Sequence, residues 1–257
     1  MKAEKQALLH QCESEYFQNP DFIEYDFPEP RIDDDLSTDE LREALRACKG
    51  LPLRTELYAE DDSPLSAKPY SASQSTIEIR LVQPKHSNDF ASFMVIPAES
   101  ISYGYERNPG DPRISHSFVI DTDDLGKPTK TASVVYPRVK RPVAPDEIPD
   151  NVWAEQSKPH VAYGELAYTN DVIENSVHRI RVAYESKSFE ISGIALAAGS
   201  FISRRNITDK IDAAEQITFE TEFDAGLQKR LVGHTRAYFV NDDLDAPLPL
   251  GEMSKLA

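Results

Sequence analysis

The sharpest piece of local chemistry in this chain is Asp121-Thr-Asp-Asp-Leu-Gly126-Lys127, whose carboxylates are of the type that ligates metals. Asp121, Asp123 and Gly126 hold the first, third and sixth positions of a calcium-loop pattern, in which short carboxylates and a sharp turn wrap a hard cation. The pattern breaks at Leu125, where an oxygen ligand belongs, and at Ala132, where the closing bidentate Glu belongs. The same residues suit a hairpin turn, with Gly126 at positive φ and Asp side chains accepting nearby amides. The turn is the reading adopted, and no metal site is assigned. The six histidines, His10, His86, His116, His160, His178 and His234, are scattered, without HExxH or a close ligand pair. His116 and His178 fall in strand patterns, where a structural or surface imidazole is expected. There is no Gly-x-Ser-x-Gly elbow, Walker loop or dinucleotide fingerprint. Carboxylates are abundant, but a glycosidase pair needs a defined separation that abundance does not supply. Arg107 and Arg113 flank an Asn108-Pro-Gly-Asp-Pro turn and are expected to pair with nearby acids. Asn206-Ile-Thr208 is a glycosylation sequon without a secretory signal beside it. No catalytic, cofactor-binding or metal-ligating residue is therefore assigned, and no cofactor is expected.

The elements that carry these residues are mostly strands. From Gly50 to Pro137 the sequence repeats strand, turn, strand, with breaks at Pro, Gly, Asn and Asp. Leu53 to Tyr58, Ser73 to Val82, Phe90 to Pro97, Ser100 to Arg107, Ile114 to Ile120 and Lys130 to Tyr136 each suit a strand, and Ser73 to Val82 alternates with the period of a half-buried one. The last third returns to strands at Val177 to Tyr184, Phe189 to Ile194, Ile217 to Phe223 and Thr235 to Val240. One helix is clear. Ser37-Thr-Asp-Glu40 forms a capping box, Leu41, Ala44, Leu45 and Cys48 recur at helical spacing, and Gly50 before Pro52 ends it near Lys49. Upstream, Phe17, Phe22, Tyr25 and Phe27 lie in a Pro- and Asp-rich stretch that suits an extended arm on another surface. Pro137 to Pro149 suits a loop or linker. Cys12 and Cys48 are the only cysteines, too few for a disulfide scaffold, and are expected as free thiols.

Several long segments in one order resemble a known family. LPLRTELYAEDDSPLSAKPYS, from Leu51, and SYGYERNPGDPRISHSFVIDTDDLGKPTKTASVVYPR, from Ser102, look like the middle-to-C-terminal region of the B component of Tc (toxin complex) insecticidal toxins. Asp123-Asp-Leu-Gly126-Lys127 also resembles the Asp-x-x-Gly-Arg/Lys turn of Rhs/YD repeats. AYTNDV, from Ala167, and QKRLVGHTRAYFVNDDLDAPLPLG, from Gln228, look like segments that follow in that family. The likeness is strongest over Lys49 to Arg138 and Gln228 to Gly251, and weaker over Val139 to Pro159 and Lys187 to Thr221. It implies a mainly β fold of antiparallel hairpins and meanders forming part of an Rhs-type shell, with one short N-terminal helix. The implied organisation is an extended arm over 1–36, a helix over 37–50, a β-rich region over 51–190 and further shell strands over 191–257, truncated at the C-terminus. The implied function is non-catalytic: a wall segment of a hollow shell that encloses a cytotoxic C-terminal polypeptide for delivery. The implied partners are the rest of the B component, the C component that supplies shell and cargo, and indirectly the A-component pore. The implied location is an extracellular toxin assembly made in the cytoplasm.

Composition bounds the alternatives. The 257 residues are 40% hydrophobic, enough for a sizeable core, and no apolar run reaches membrane-spanning length. The N-terminal segment carries too many charges for a secretory signal peptide. A formal net charge of −16 disfavours nucleic acid and anionic membrane, so neither a nucleic-acid partner nor direct membrane insertion is expected. Solubility alone accounts for such a surplus; in a shell it would also line the cavity against the basic, unfolded cargo that the resemblance implies. The chain opens and stops inside the matched pattern, so in isolation it is expected to expose edge strands and to be poorly soluble or oligomeric. The competing class is a self-contained β-sandwich that binds carbohydrate or protein, with Trp153, Tyr163 and Tyr168 as a stacking platform. A glycoside-hydrolase fragment rests on acid content alone.

Overall fold

A computed structural model describes residues 15–33, 35–143 and 147–256; Cys12, His10 and part of the N-terminal arm lie outside the described residues. The chain divides into two compact units, one holding the described residues up to Ser117 with 134–159 and 195–202, the other holding 118–133, 160–194 and 203 onward.

In the first unit, β1 (Arg31–Ile32), α1 (Thr38–Ala47), β2 (Arg54–Leu57), β3 (Ser71–Gln83) and β4 (Ser92–Gly104) precede the first half of β5 (Arg113–Thr122). Two short strands share one edge of β3: β2 runs antiparallel along Ser71–Gln74, and β1 runs parallel at Glu78 and Ile79. The other edge pairs with β4 over its whole length. Here the structure corrects the sequence reading, which split β4 at Pro97 and Ser100. The strand runs straight through, because a β-bulge absorbs the irregularity: Thr76 faces Glu99 and Ile77 faces Pro97, so Ala98 opposes no residue. The extra residue resets the alternation, and Ala98 and Glu99 are both buried in succession. The core is closed by Ile101 and Tyr103 from β4, Ile114 and His116 from β5, and Ile79 from β3.

Helix α1 forms as its sequence dictates. Ser37 Oγ accepts the Glu40 amide, Glu40 accepts the Ser37 amide in return, and Asp39 and Glu40 occupy the positive end of the helix. Ala44 is its fully buried contact, and Cys48, a free thiol, caps its end. Two helices were not expected. The short α2 (Asp150–Gln156) buries no residue fully and follows the Pro-rich loop of the first unit.

The second unit contains the end of β5, most of β6 (Pro128–Val135), and β7 (His160–Tyr168), β10 (Ala183–Ser192) and β12 (Gln228–Arg236), with β10 antiparallel to both β7 and β12. Strand β11 (Glu215–Ile217) lies parallel on β12, and β8 (Val172–Glu174) with β9 (Val177–Arg179) forms a separate hairpin. Val177 to Tyr184 is thus not one strand: it breaks at Ile180–Val182, where the Arg181 amide donates to Asp171 Oδ1 at 2.7 Å instead of to a sheet. Ile217 to Phe223 leaves the sheet after Ile217, and Thr235 to Val240 leaves it after Arg236. The third helix, α3 (Arg204–Ala213), is capped by Ser203 and docks through Ile207 and Ile211, one turn apart on one face. Among the described residues no helix is long and apolar enough to cross a membrane.

Candidate functional site

One cluster of buried polar groups in the first unit gathers where the bulge turns Glu99 inward. His116 alternates with Ile114 and Phe118 on the buried side of β5 and has no exposed surface. Its Nε2 lies 3.4 Å from Glu99 Oε2 and its Nδ1 3.1 Å from the Tyr136 hydroxyl. Tyr25 donates to the same Glu99 oxygen at 3.2 Å, and the Ile202 amide donates to the Tyr136 oxygen at 3.2 Å. One assignment satisfies this chain of contacts: Ile202 N–H to Tyr136, Tyr136 O–H to His116 Nδ1, and His116 Nε2–H toward Glu99. That places a neutral imidazole against a carboxylate. Burial lowers the His116 pKa and the Glu99 charge opposes the shift. Burial pushes the Tyr136 hydroxyl up to about 12, and Tyr25, desolvated beside Glu99, higher still. The aromatic arm closes over the group, with Tyr25 and Phe27 edge-on to the His116 ring at 4.8 and 6.2 Å. An imidazole with no exposure has no path to a substrate, so the arrangement specifies packing and does not present an acid–base pair.

Several other charges of this unit are tied to backbone and to each other. Arg54 reaches Glu24 at 2.6 Å and Glu56 at 2.5 Å, Tyr105 donates to Glu24, and Glu56 accepts the Phe17 amide at 3.1 Å. After β4 the chain turns through Glu106 and Arg107, both in the left-handed region at φ of 49° and 61°, which marks a tight corner. Arg107 pairs with Asp61 at 2.8 Å, as its sequence context suggests. Arg113 has no such partner among the described residues: Asp111, the acid of the Asn-Pro-Gly-Asp-Pro turn, is taken by Arg138 and by the amides of Val139 and Lys140 at 3.1 and 3.2 Å. This corner and the loop after β6 border an open cleft of about 590 Å³.

In the second unit, the Asp121–Lys127 segment is the hairpin turn expected of it. Asp123 Oδ1 accepts the amides of Leu125 and Lys127 at 2.9 and 2.8 Å, and Gly126 takes a φ of 74°. Arg181 reaches Asp124 and Asp171 at 2.6 Å each and Asp123 at 3.4 Å. The carboxylates with calcium-loop spacing thus hold amides and a guanidinium. The aromatic platform does not assemble from its tyrosines: Tyr163 is buried against Phe189, with ring centres 5.6 Å apart, and Tyr168 donates to the Pro128 carbonyl beneath the Lys127 ammonium. Trp153 sits half-buried on α2 of the other unit. The sequon lies within α3, where the Thr208 hydroxyl donates to the Arg204 carbonyl at 2.8 Å. His86 and His178 are exposed, and His234 pairs with Glu185 at 2.7 Å.

The fold and its clusters define a mainly β segment, many of whose ionisable residues order loops and core. Over residues 43–184 it matches the family model described as insecticide toxin TcdB middle/C-terminal region, and the chain belongs to that family. Its fold resembles three solved assemblies: the crystal structure of TcdB2-TccC3 (22% identity, TM-score 0.70), that of TcdB2-TccC3-Cdc42 (23%, 0.69) and the Photorhabdus luminescens Tc holotoxin pore with a mutated TccC3 (22%, 0.70). Each likeness covers 95% of this chain and 12% of the other, so the chain spans a small part of the length of the proteins it resembles. No curated protein sequence matches it.

Proposed function

We propose that the chain is a non-catalytic wall segment of a toxin-complex B component, contributing strands to a hollow β shell that encloses a cytotoxic C-terminal polypeptide for delivery. The observation that carries this reading is the family match over 43–184, supported by a fold likeness that extends over nearly the whole chain. Its partners on this reading are the rest of the B component, a C component and, through the assembled shell, an A-component pore, in a toxin released outside the producing cell. The polar clusters suit such a wall, because buried networks and loop carboxylates fix one geometry without offering a reactive group. The acidic surplus then weights the cavity side of the segment toward carboxylates, which hold a basic unfolded cargo by screened attraction without imposing one bound structure.

The test is protection of cargo. A full-length B component carrying this segment, produced with its C component, is treated with trypsin while the C-terminal polypeptide is followed by immunoblot. The expected result is cargo that resists cleavage until the assembly is denatured. Cargo cleaved at the same rate with and without the B component would overturn the proposal.

A further inference from the structure

The cleft in the first unit is basic on a chain that is otherwise strongly acidic. Its lining carries Arg113, Arg138, Lys140 and Arg141 against Glu106 and Asp111. Two of these cations are committed: Arg138 to Asp111, and Arg141 to Asp150 at 2.6 Å. Asp111 is itself saturated by Arg138 and two backbone amides. The side chains of Arg113 and Lys140 have no hydrogen-bond or ion-pair partner among the described residues. The Lys140 ammonium lies beside Gly110. Apolar surface comes from Val143, Pro142 and Ile148.

We infer that this cleft binds an acidic peptide segment of a partner polypeptide, with carboxylates on Arg113 and Lys140 and an apolar side chain against Val143 and Ile148. Two features favour a peptide over a small inorganic anion. The volume of about 590 Å³ falls within the range of ligand pockets and far exceeds one phosphate. The apolar wall would stay wet behind a phosphate. Both free cations are also exposed, so a carboxylate meets them without the desolvation cost of a buried ion pair. The corner at Glu106 and Arg107 and the Asp111–Arg138 contact hold the cleft open before binding, which lowers the ordering cost. The inference stands independently of the shell reading.

The test uses the 257-residue chain and a fluorescein-labelled peptide of alternating glutamate and leucine, followed by anisotropy. Saturable binding is expected, about tenfold weaker for the glutamine–leucine peptide and for the double variant Arg113→Ala/Lys140→Ala, and unchanged in Lys49→Ala outside the cleft. Raising salt from about 50 to about 300 mM should weaken it several-fold. Circular dichroism checks the fold of each variant, and the glutamate-to-glutamine comparison on the unmodified protein decides the matter if the double variant does not fold. Equal binding of the two peptides, or full affinity in the folded double variant, would overturn the inference. So would inorganic phosphate binding to Arg113 and Lys140 while the glutamate peptide does not, which makes the cleft a small-anion site.

Discussion

His116 ties stability to pH in a direction that its surroundings fix. Burial holds the folded imidazole below its ordinary value of 6.5, against the opposing pull of Glu99; Tyr25 and Tyr136 stay neutral in this range. A basic group with a depressed folded pKa binds fewer protons folded than unfolded. Its stabilisation is therefore complete above the unfolded pKa and is lost as pH falls from about 6.5 toward the folded value. One proton sets the ceiling, a slope of about 1.4 kcal/mol per pH unit. Urea unfolding midpoints at about pH 7.5, 6.5 and 5.5 measure it, in a window above most carboxylate titration. The native protein should lose stability across the lower interval, and His116→Gln should flatten that loss. Glu99→Gln removes the opposing charge and should extend the loss to lower pH. Identical pH dependence in native protein and His116→Gln would refute the assignment of a neutral buried imidazole. A native protein more stable at the acid end would show instead that Glu99 holds an imidazolium.

Removing Arg138 leaves the Asp111 carboxylate, 5% exposed, with backbone amides alone, so Arg138→Ala should cost about 3–5 kcal/mol of unfolding free energy by chemical denaturation. Gly193 has a φ of 83°, and a Cβ there would stand 2.1 Å from the Gly226 carbonyl oxygen. Gly193→Ala therefore combines a left-handed penalty of about 1–2 kcal/mol with a forced backbone shift, and should lower the melting temperature more than any other Gly→Ala change in the second unit. Ser37→Ala removes the cap of α1 and should cost about 1 kcal/mol, with no change in the His116-linked pH slope.

What was legible in the sequence was what local chemistry decides. The Asp123–Gly126 turn needs a glycine at positive φ and a carboxylate two residues before an amide, and both lie within one short segment. Helix α1 announces itself through a capping box. Helix α3 was missed because its apolar signal is two residues, Ile207 and Ile211, among Arg204, Arg205, Asn206, Thr208, Asp209 and Lys210; packing holds it, and packing is not local. Strand β4 reads as two in the sequence because Pro97 looks like punctuation, whereas the bulge at Ala98 lets one strand run past it. The polar core was illegible for a related reason. Tyr25 and Glu99 lie 74 positions apart, and only the register of β4 and the path of the arm bring them to His116.

The acidic surplus has a use that composition could not show. Asp33 accepts the Leu81 amide, Glu40 that of Lys85, Glu43 that of Ala91, Glu56 that of Phe17, Asp171 that of Arg181 and Asp224 that of Gly226. Asp111 and Asp123 each take two such amides. These donors belong to loops, strand ends and an edge position of β3, where backbone N–H groups lack a sheet partner and side-chain acceptors replace it. Two of these carboxylates are held well below their ordinary range: those of Glu40 and Asp171 are lowered to about 2, by a backbone hydrogen bond from Lys85 in the first case and by the Arg181 side chain in the second. A chain with many irregular connections between its strands needs many acceptors off the sheet, and Asp and Glu supply them. Part of the negative charge is thus structural. These carboxylates keep their charge while accepting neutral amides, so the same side chains still add to the acidic field of the chain.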